Sequence, residues 1–173
     1  MANILFGEVS PSGKLPITFP MDENQLPDYR SYSMEGRTYK YSTVTPMFPF
    51  GFGLGYSTIE LSNLKIKVLP AYSQKQKSAL YLTPTDTLVV SFSVRNPGSV
   101  PAEEVIQLYQ QTKGAKFRTP RFDLKDFMRI RINPGEESQY SFHIPASRFS
   151  DFNMEGHRML VPRSGRASCR ERV

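Results

Sequence analysis

The chain has 173 residues, 39% of them hydrophobic, enough for one ordinary core with appendages and too few for an α/β barrel, which takes about 250 residues. Its net charge of +6 is spread along the sequence, and three Arg against one Glu in the last ten residues leave the remainder at +4, so nucleic-acid binding is set aside. No apolar run is long enough to cross a bilayer, Met1-Ala2-Asn3 does not open a signal peptide, and the single cysteine, Cys169, leaves the body without an internal disulfide.

Ile4 to Phe6 is a short apolar run closed by Gly7, and Ser10-Pro11-Ser12-Gly13 is a turn signal ahead of Leu15-Pro16-Ile17-Thr18-Phe19; both runs are expected as strands. Met21 to Thr45 is polar and aromatic without a helical period, as suits a segment lying on other surfaces. Next comes Pro46-Met47-Phe48-Pro49-Phe50-Gly51-Phe52-Gly53-Leu54-Gly55-Tyr56-Ser57. Its prolines fix φ and its glycines alternate with aromatic or apolar residues, which predicts a close-packed irregular crossing.

Ile59 to Leu69 predicts a strand, with Ile59 and Leu61 giving way to Leu64, Ile66 and Val68 after a slip at Ser62-Asn63. Pro70 to Lys77 is a polar connection. Leu88, Val90, Phe92 and Val94 alternate with Val89, Ser91, Ser93 and Arg95 as a half-buried strand, which Asn96-Pro97-Gly98 ends. Val105 to Tyr109 is a short β-rich run after the polar lead-in Ala102-Glu103-Glu104. Phe127 to Ile132 sets Met128, Ile130 and Ile132 against Arg129 and Arg131, and Asn133-Pro134-Gly135-Glu136 turns the chain into Tyr140, Phe142 and Ile144. Pro145 to Phe149 predicts one helical turn, Asn153-Met154-Glu155-Gly156 a hairpin tip, and Arg158 to Val161 a strand. Short strands separated by Pro/Gly turns indicate an antiparallel β-sandwich.

Gly51, Gly53 and Gly55 have the wrong spacing for a phosphate loop, and Ser12-Gly13-Lys14 lacks the upstream glycine of a P-loop. His143 and His157 have no metal-ligand spacing. Asp22, Glu23, Asp28, Glu35, Asp123, Asp126, Glu136 and Glu137 read as solvated carboxylates. No catalytic, cofactor-binding or metal-ligating residue is therefore assigned. Tyr29, Tyr32, Tyr39 and Tyr41 with Arg30 and Arg37 form an aromatic and basic cluster that suits stacking on a sugar or docking against a neighbouring domain, with docking preferred.

The aromatic run, taken with Gly36-Arg37-Thr38-Tyr39-Lys40-Tyr41, resembles the segment that follows the second domain in family 3 glycoside hydrolases, the β-glucosidase and β-xylosidase family. Ile4 to Pro20 is similar to the end of that family's second, α/β-sandwich domain. Asn96-Pro97-Gly98, Glu104 to Tyr109, Leu124-Lys125-Asp126-Phe127 and Asn133-Pro134-Gly135-Glu136 match, in order, its fibronectin type III-like domain.

The resemblance implies an all-β, immunoglobulin/fibronectin type III-like antiparallel β-sandwich lacking its last strand, preceded by a remnant of an α/β domain and an irregular strap. The expected divisions are 1–20 for the α/β remnant, 21–58 for the strap, 59–163 for the sandwich and 164–173 for a tail. That tail resembles translated adapter sequence and is kept out of the fold, the alternative being a natural disordered basic tail. With no apolar alternation after residue 165, the strand at 158–161 is expected as an unpaired edge, with Tyr140 and Phe142 uncovered. Residues 21–45 are expected to be mobile, and the aromatic run partly exposed.

In functional terms, the resemblance implies the C-terminal part of an exo-acting β-glycosidase that removes terminal glucose or xylose by a retaining two-carboxylate mechanism. The family's nucleophile and acid/base lie upstream of anything similar to this chain, so the chain alone is expected to be inactive. The implied partners are the catalytic domains of the same polypeptide and an oligo- or disaccharide substrate, with no cofactor, nucleic acid or membrane. A bacterial parent would act in the periplasm or outside the cell. The alternative is a stand-alone β-sandwich module that binds carbohydrate or protein.

Overall fold

A computed structural model describes residues 2–71, 83–112, 119–153, 155–160 and 167–168. Within these, two helical turns, α1 (Ala2–Leu5) and α2 (Thr38–Tyr41), precede the strands β1 (Glu60–Leu69), β2 (Thr87–Arg95), β3 (Ala102–Gln110), β4 (Asp123–Ile132), β5 (Glu137–Pro145), β6 (Ser150–Phe152), β7 (Arg158–Leu160) and β8 (Ala167–Ser168). One sheet has the order β1-β2-β5, the other β4-β3-β8, and β6-β7 is a separate hairpin. Every pairing is antiparallel, so the fold is the all-β sandwich expected.

The period-2 pattern of β2 buries Leu88, Val90, Phe92 and Val94, and the last three cluster with Phe142 and Ile144 of their own sheet and Ile106, Leu108, Ile130 and Ile132 of the other. Phe92 stacks on Phe142 with centroids 5.5 Å apart. Each fully buried aliphatic or aromatic side chain of this kind contributes about 1.5 to 3 kcal/mol of transfer free energy, which is what holds the two sheets together. Phe142 is therefore covered, not open. The hairpin corrects the expected unpaired edge as well. Asn153 Oδ1 accepts from the amides of Glu155 and His157, closing a tight turn that pairs β7 with β6. Val161, Met154 and residues 72–77 of the polar connection lie outside the described residues.

The turn after β2 is built around a buried asparagine. Asn96 is fully enclosed; its Nδ2 donates to the carbonyls of Val100 (2.9 Å) and Ile132 (3.2 Å), and its Oδ1 accepts from the Gly98 amide (2.9 Å). Its own amide and carbonyl bond Glu136 and Gly135 of the β4–β5 turn, so one residue ties two turns together. β3 starts three residues earlier than its apolar run suggested. Ala102 pairs with Ile132 in the core, while Glu103 finds Arg129 across the ladder.

The slip in β1 is real. Its register shifts between Ser62 and Lys65, Asn63 takes φ +55°, and its Nδ2 reaches Ser93 Oγ at 3.3 Å. Beyond the bulge Ile66 pairs with Val90 and Val68 with Leu88, which fixes their side chains on the core face. Both nonetheless remain 46% exposed. Among the described residues the facing sheet has two long strands where this one has three, with β8 pairing β3 at Tyr109 and Gln110. Within 164–173, the described residues Ala167 and Ser168 pair with the end of β3.

The N-terminal stretch departs from expectation in its local form. Ile4 to Phe6 is not a strand. Ala2–Leu5 closes a single helical turn, with the Phe6 amide on Ala2 O at 2.9 Å. Leu15 to Phe19 does pair, with the aromatic run: Leu15 N to Phe52 O, Gly51 N to Leu15 O and Phe19 N to Phe48 O are each 2.8 Å. Pro16, Pro20 and Pro49 offer no amide, so this ladder stays a string of isolated bonds and one bridge, Phe19 to Phe48.

Candidate docking site

The strap lies on the outer face of β3 and β4. α2 presents Tyr39, whose ring stacks on Phe50 at 4.2 Å and 16°, and both rings meet the edge of Tyr109 on β3, at 6.0 and 6.5 Å. An aromatic trio of this kind contributes about 0.5 to 1.5 kcal/mol per pair beyond area burial. Polar bonds set its register: the Leu124 amide donates to Tyr39 Oη (3.2 Å), the Arg121 amide to Lys40 O (2.7 Å), and the Arg121 guanidinium to Ser42 O. Gly51, at φ +80°, lies against Gln107 and Tyr109 so closely that a Cβ would overlap the Gln107 side chain.

Beside the trio, Asp123 accepts from Lys40 Nζ at 2.5 Å and from Lys125 Nζ at 2.7 Å. Burial works against the Asp123 charge, but hydrogen bonds and attraction from Lys125 and Lys40 outweigh it and hold the carboxyl below its ordinary value. Burial likewise opposes the Lys40 charge, and the Asp123 partner overcomes it and raises that pKa. A second ion pair, Lys14 to Glu104 at 2.6 Å, ties down the N-terminal stretch, and Ser57 Oγ, at the far end of the strap, donates to Val100 O at 3.0 Å.

The sign of each shift fixes how docking responds to pH. The depressed Asp123 contributes stability that is complete above its unfolded value near about 4 and is lost as pH falls through the lower folded value. The raised Lys40 contributes below its unfolded value near about 10.4 and is lost as pH rises through the higher folded one. Near-UV circular dichroism of the aromatic trio should therefore be flat between these limits and change at both ends, and Asp123→Asn should remove the acid limb. An acid limb of unchanged amplitude in that variant would rule the Asp123 pair out as its origin.

The structure divides the predicted aromatic and basic cluster. Tyr39 goes to the sandwich, whereas Tyr29 and Tyr32 are 83% and 99% exposed. Arg37 folds back on its own loop and donates to the carbonyls of Ser33, Asp28 and Ser31. Arg30 Nε bonds Tyr29 Oη at 3.2 Å. The strap is thus largely satisfied within this chain, with Phe50 and Phe52 half-buried on it. Lys14, Gly51, Glu104, Tyr109, Arg121, Asp123 and Lys125 complete the site, and sequence reasoning did not single them out as partners. Alternation along β3, which places Gln107 and Tyr109 opposite the buried Ile106 and Leu108, is a signal that could have found Tyr109.

Four other carboxylates hold local backbone structure. Asp22 accepts from the Asn24 amide and caps a 3-10 turn at Glu23–Gln25, and Asp28 accepts from Arg30 N. Backbone amides of Thr83 and Ala71 hold Asp86 below its ordinary value, and the Asn133 amide with Ser138 Oγ does so for Glu136. His143 and His157 stand apart on the surface, beside Ser141 and Glu155. Among the described residues no group of three or more His, Cys, Asp or Glu could hold a metal ion, and no helix is long and apolar enough to cross a membrane.

Residues 1–56 match the glycosyl hydrolase family 3 C-terminal domain, and residues 104–167 match the fibronectin type III-like domain. The chain is 40% identical over 161 residues to a putative beta-xylosidase of Formosa agariphila, covering 89% of this chain and 19% of that one. It is 32% identical over 168 residues to thermostable beta-glucosidase B of Acetivibrio thermocellus, covering 90% and 21%. The structure of beta-glucosidase 3B from Thermotoga neapolitana in complex with glucose superposes with a TM-score of 0.71 at 30% identity, over 88% of this chain and 22% of that one. The chain thus spans about a fifth of the length of these relatives. With its docked N-terminal stretch matching one domain of the family and its sandwich matching another, the chain carries C-terminal sequence of glycosyl hydrolase family 3.

Proposed function

We propose that this chain is the accessory part of an exo-acting β-glycosidase, with residues 21–58 acting as a strap that joins a catalytic body to the sandwich of residues 59–163. The observation that carries the reading is the docked strap. Residues that match the family's C-terminal domain are clamped to the sandwich by an aromatic trio and two ion pairs, as a rigid coupling requires. The substrate of the whole enzyme is a glycoside with a terminal glucosyl or xylosyl unit, and residues 1–20 form the edge of the body that holds it.

The chain supplies no hydrolytic pair of its own in this reading. A glycosidase needs one carboxylic acid kept protonated beside an ionised partner. Asp86, Asp123 and Glu136 are all shifted the opposite way, toward the charged form. Two measurements test the proposal. The purified chain should not turn over an aryl β-glucoside or β-xyloside, and a chimera of the Formosa agariphila relative carrying this chain in place of its matching segment should keep xylosidase activity. Turnover by the chain alone, or a folded but inactive chimera, would refute it.

A further inference from the structure

The N-terminal stretch matches a domain but has no core of its own. In residues 2–58 Ser10 alone is buried and no hydrophobic side chain is, although this stretch carries most of the exposed large hydrophobic residues of the described chain. An independent domain buries its apolar side chains against one another. The clamp on the sandwich runs through Tyr39, Phe50 and Gly51 and leaves a second surface bare. There Leu5, Phe6 and Leu54 are 76%, 83% and 72% exposed, with Val9 and Tyr56 half-exposed. Glu8 is the one charged side chain in residues 2–13, and residues 46–57 hold none. The surface is also fixed in place. Tyr56 Oη donates to Ile4 O at 2.5 Å, the Tyr56 amide donates to Ser10 Oγ at 3.1 Å, and the Glu8 and Val9 amides both donate to Asn3 O, which pins a hooked N-terminus against residues 54–56.

We propose that this apolar hook is the docking surface for the part of a whole family 3 enzyme that lies upstream of it, and that Leu5, Phe6, Val9, Leu54 and Tyr56 complete a hydrophobic core with that part. The inference rests on the reading of the chain as the C-terminal part of a larger glycosidase, and it goes further by naming the contact. Because the chain spans about a fifth of the length of its relatives and matches their C-terminal sequence, a body of the right kind precedes the hook in them. A surface with so little charge suits a permanent interface, which resembles a domain core cut in half, better than a transient one. Pinning by Tyr56 and Asn3 also lowers the ordering cost of the contact, since the hook holds its shape before the body is in place. The N-terminal stretch thus faces two partners, the sandwich through polar and aromatic clamps and the body through aliphatic and aromatic side chains alone.

The test places one pair of substitutions, Phe6→Ser with Leu54→Ser, in two settings: the full chain alone and the chimera with the Formosa agariphila relative. In the chain alone both side chains face water, so the thermal midpoint should stay within about 1 °C. In the chimera they are covered, and the midpoint should fall by about 5 °C or more. Phe152→Ser, on the separate β6–β7 hairpin, should have a small effect in both settings. A loss in the chimera no larger than in the chain alone, or an equal loss from Phe152→Ser, would overturn the proposal. So would a chimera that does not fold, or a chain that is a dimer by light scattering and becomes a monomer on substitution, since the occupant would then be a second copy. Xylosidase activity of the unsubstituted chimera judges the glycosidase reading separately: a folded, inactive chimera refutes that reading, while the docking surface stands or falls on the difference in midpoint.

Discussion

Asn96→Ala is expected to destabilise the sandwich by about 2 to 4 kcal/mol, a fall of roughly 10 °C or more in thermal midpoint for a domain of this size. The argument lies in what is left behind. Removing the side-chain amide strips the Val100 and Ile132 carbonyls of a donor and the Gly98 amide of its acceptor, in a place closed to water. Each buried group so orphaned costs about 1 to 3 kcal/mol, while the small cavity adds to the loss. Asn96→Asp sharpens the test. The ionised acid still accepts from Gly98 but faces two carbonyl oxygens with no proton to give, so at neutral pH it should be at least as damaging as alanine. Calorimetry of both variants decides, and a loss below about 0.5 kcal/mol for alanine would show that the turn holds without its asparagine.

Gly53→Ala should undo the strap and spare the core. A Cβ on Gly53 would overlap the Gly13 carbonyl oxygen, a backbone atom that cannot step aside, and would press on the Lys14 side chain that reaches Glu104. Forcing the two segments apart breaks the bonds between Leu15 and Phe52 and between Gly51 and Leu15, at a cost of about 1 to 3 kcal/mol. Gly55 provides the control, because a Cβ there meets Ser10 Oγ at an ordinary 3.4 Å. Hydrogen exchange at the Leu15 and Gly51 amides should accelerate in Gly53→Ala and stay near wild type in Gly55→Ala. Unchanged protection in both variants would contradict the packing described for the aromatic run.

The strands of the sandwich were legible because their signal is local. Alternation in β2, β4 and β5 marks the core face directly, and the bulge at Ser62-Asn63 appeared as a broken period. The position of β1 at an edge was not legible. Ile66 and Val68 alternate as a buried strand would, yet both are 46% exposed, and among the described residues no long strand of the facing sheet lies beyond β3. Ile4 to Phe6 was misread because an apolar run of three residues fits a helical turn as well as a strand. The docking site was half legible. Tyr39 and Phe50 stood out by composition, but Asp123 gave no sign of its role, since its partner Lys40 lies far away in sequence and Lys125 sits in its own strand.

The attachment of the strap and of the stretch before it also constrains the order of assembly. Tyr39 reaches a backbone amide 85 residues later in the chain, and Lys14 reaches Glu104, so neither contact can form until a long loop has closed. Closing such a loop costs entropy that a single aromatic stack or ion pair does not recover. The β4–β5 turn, by contrast, closes over a few residues and brings its hydrogen bonds with it. Refolding should therefore be biphasic, with the sheets forming first and offering a finished outer face on which the strap then settles. In a nascent polypeptide this would leave residues 1–58 waiting, already synthesised but without a surface to rest on, until β3 and β4 emerge.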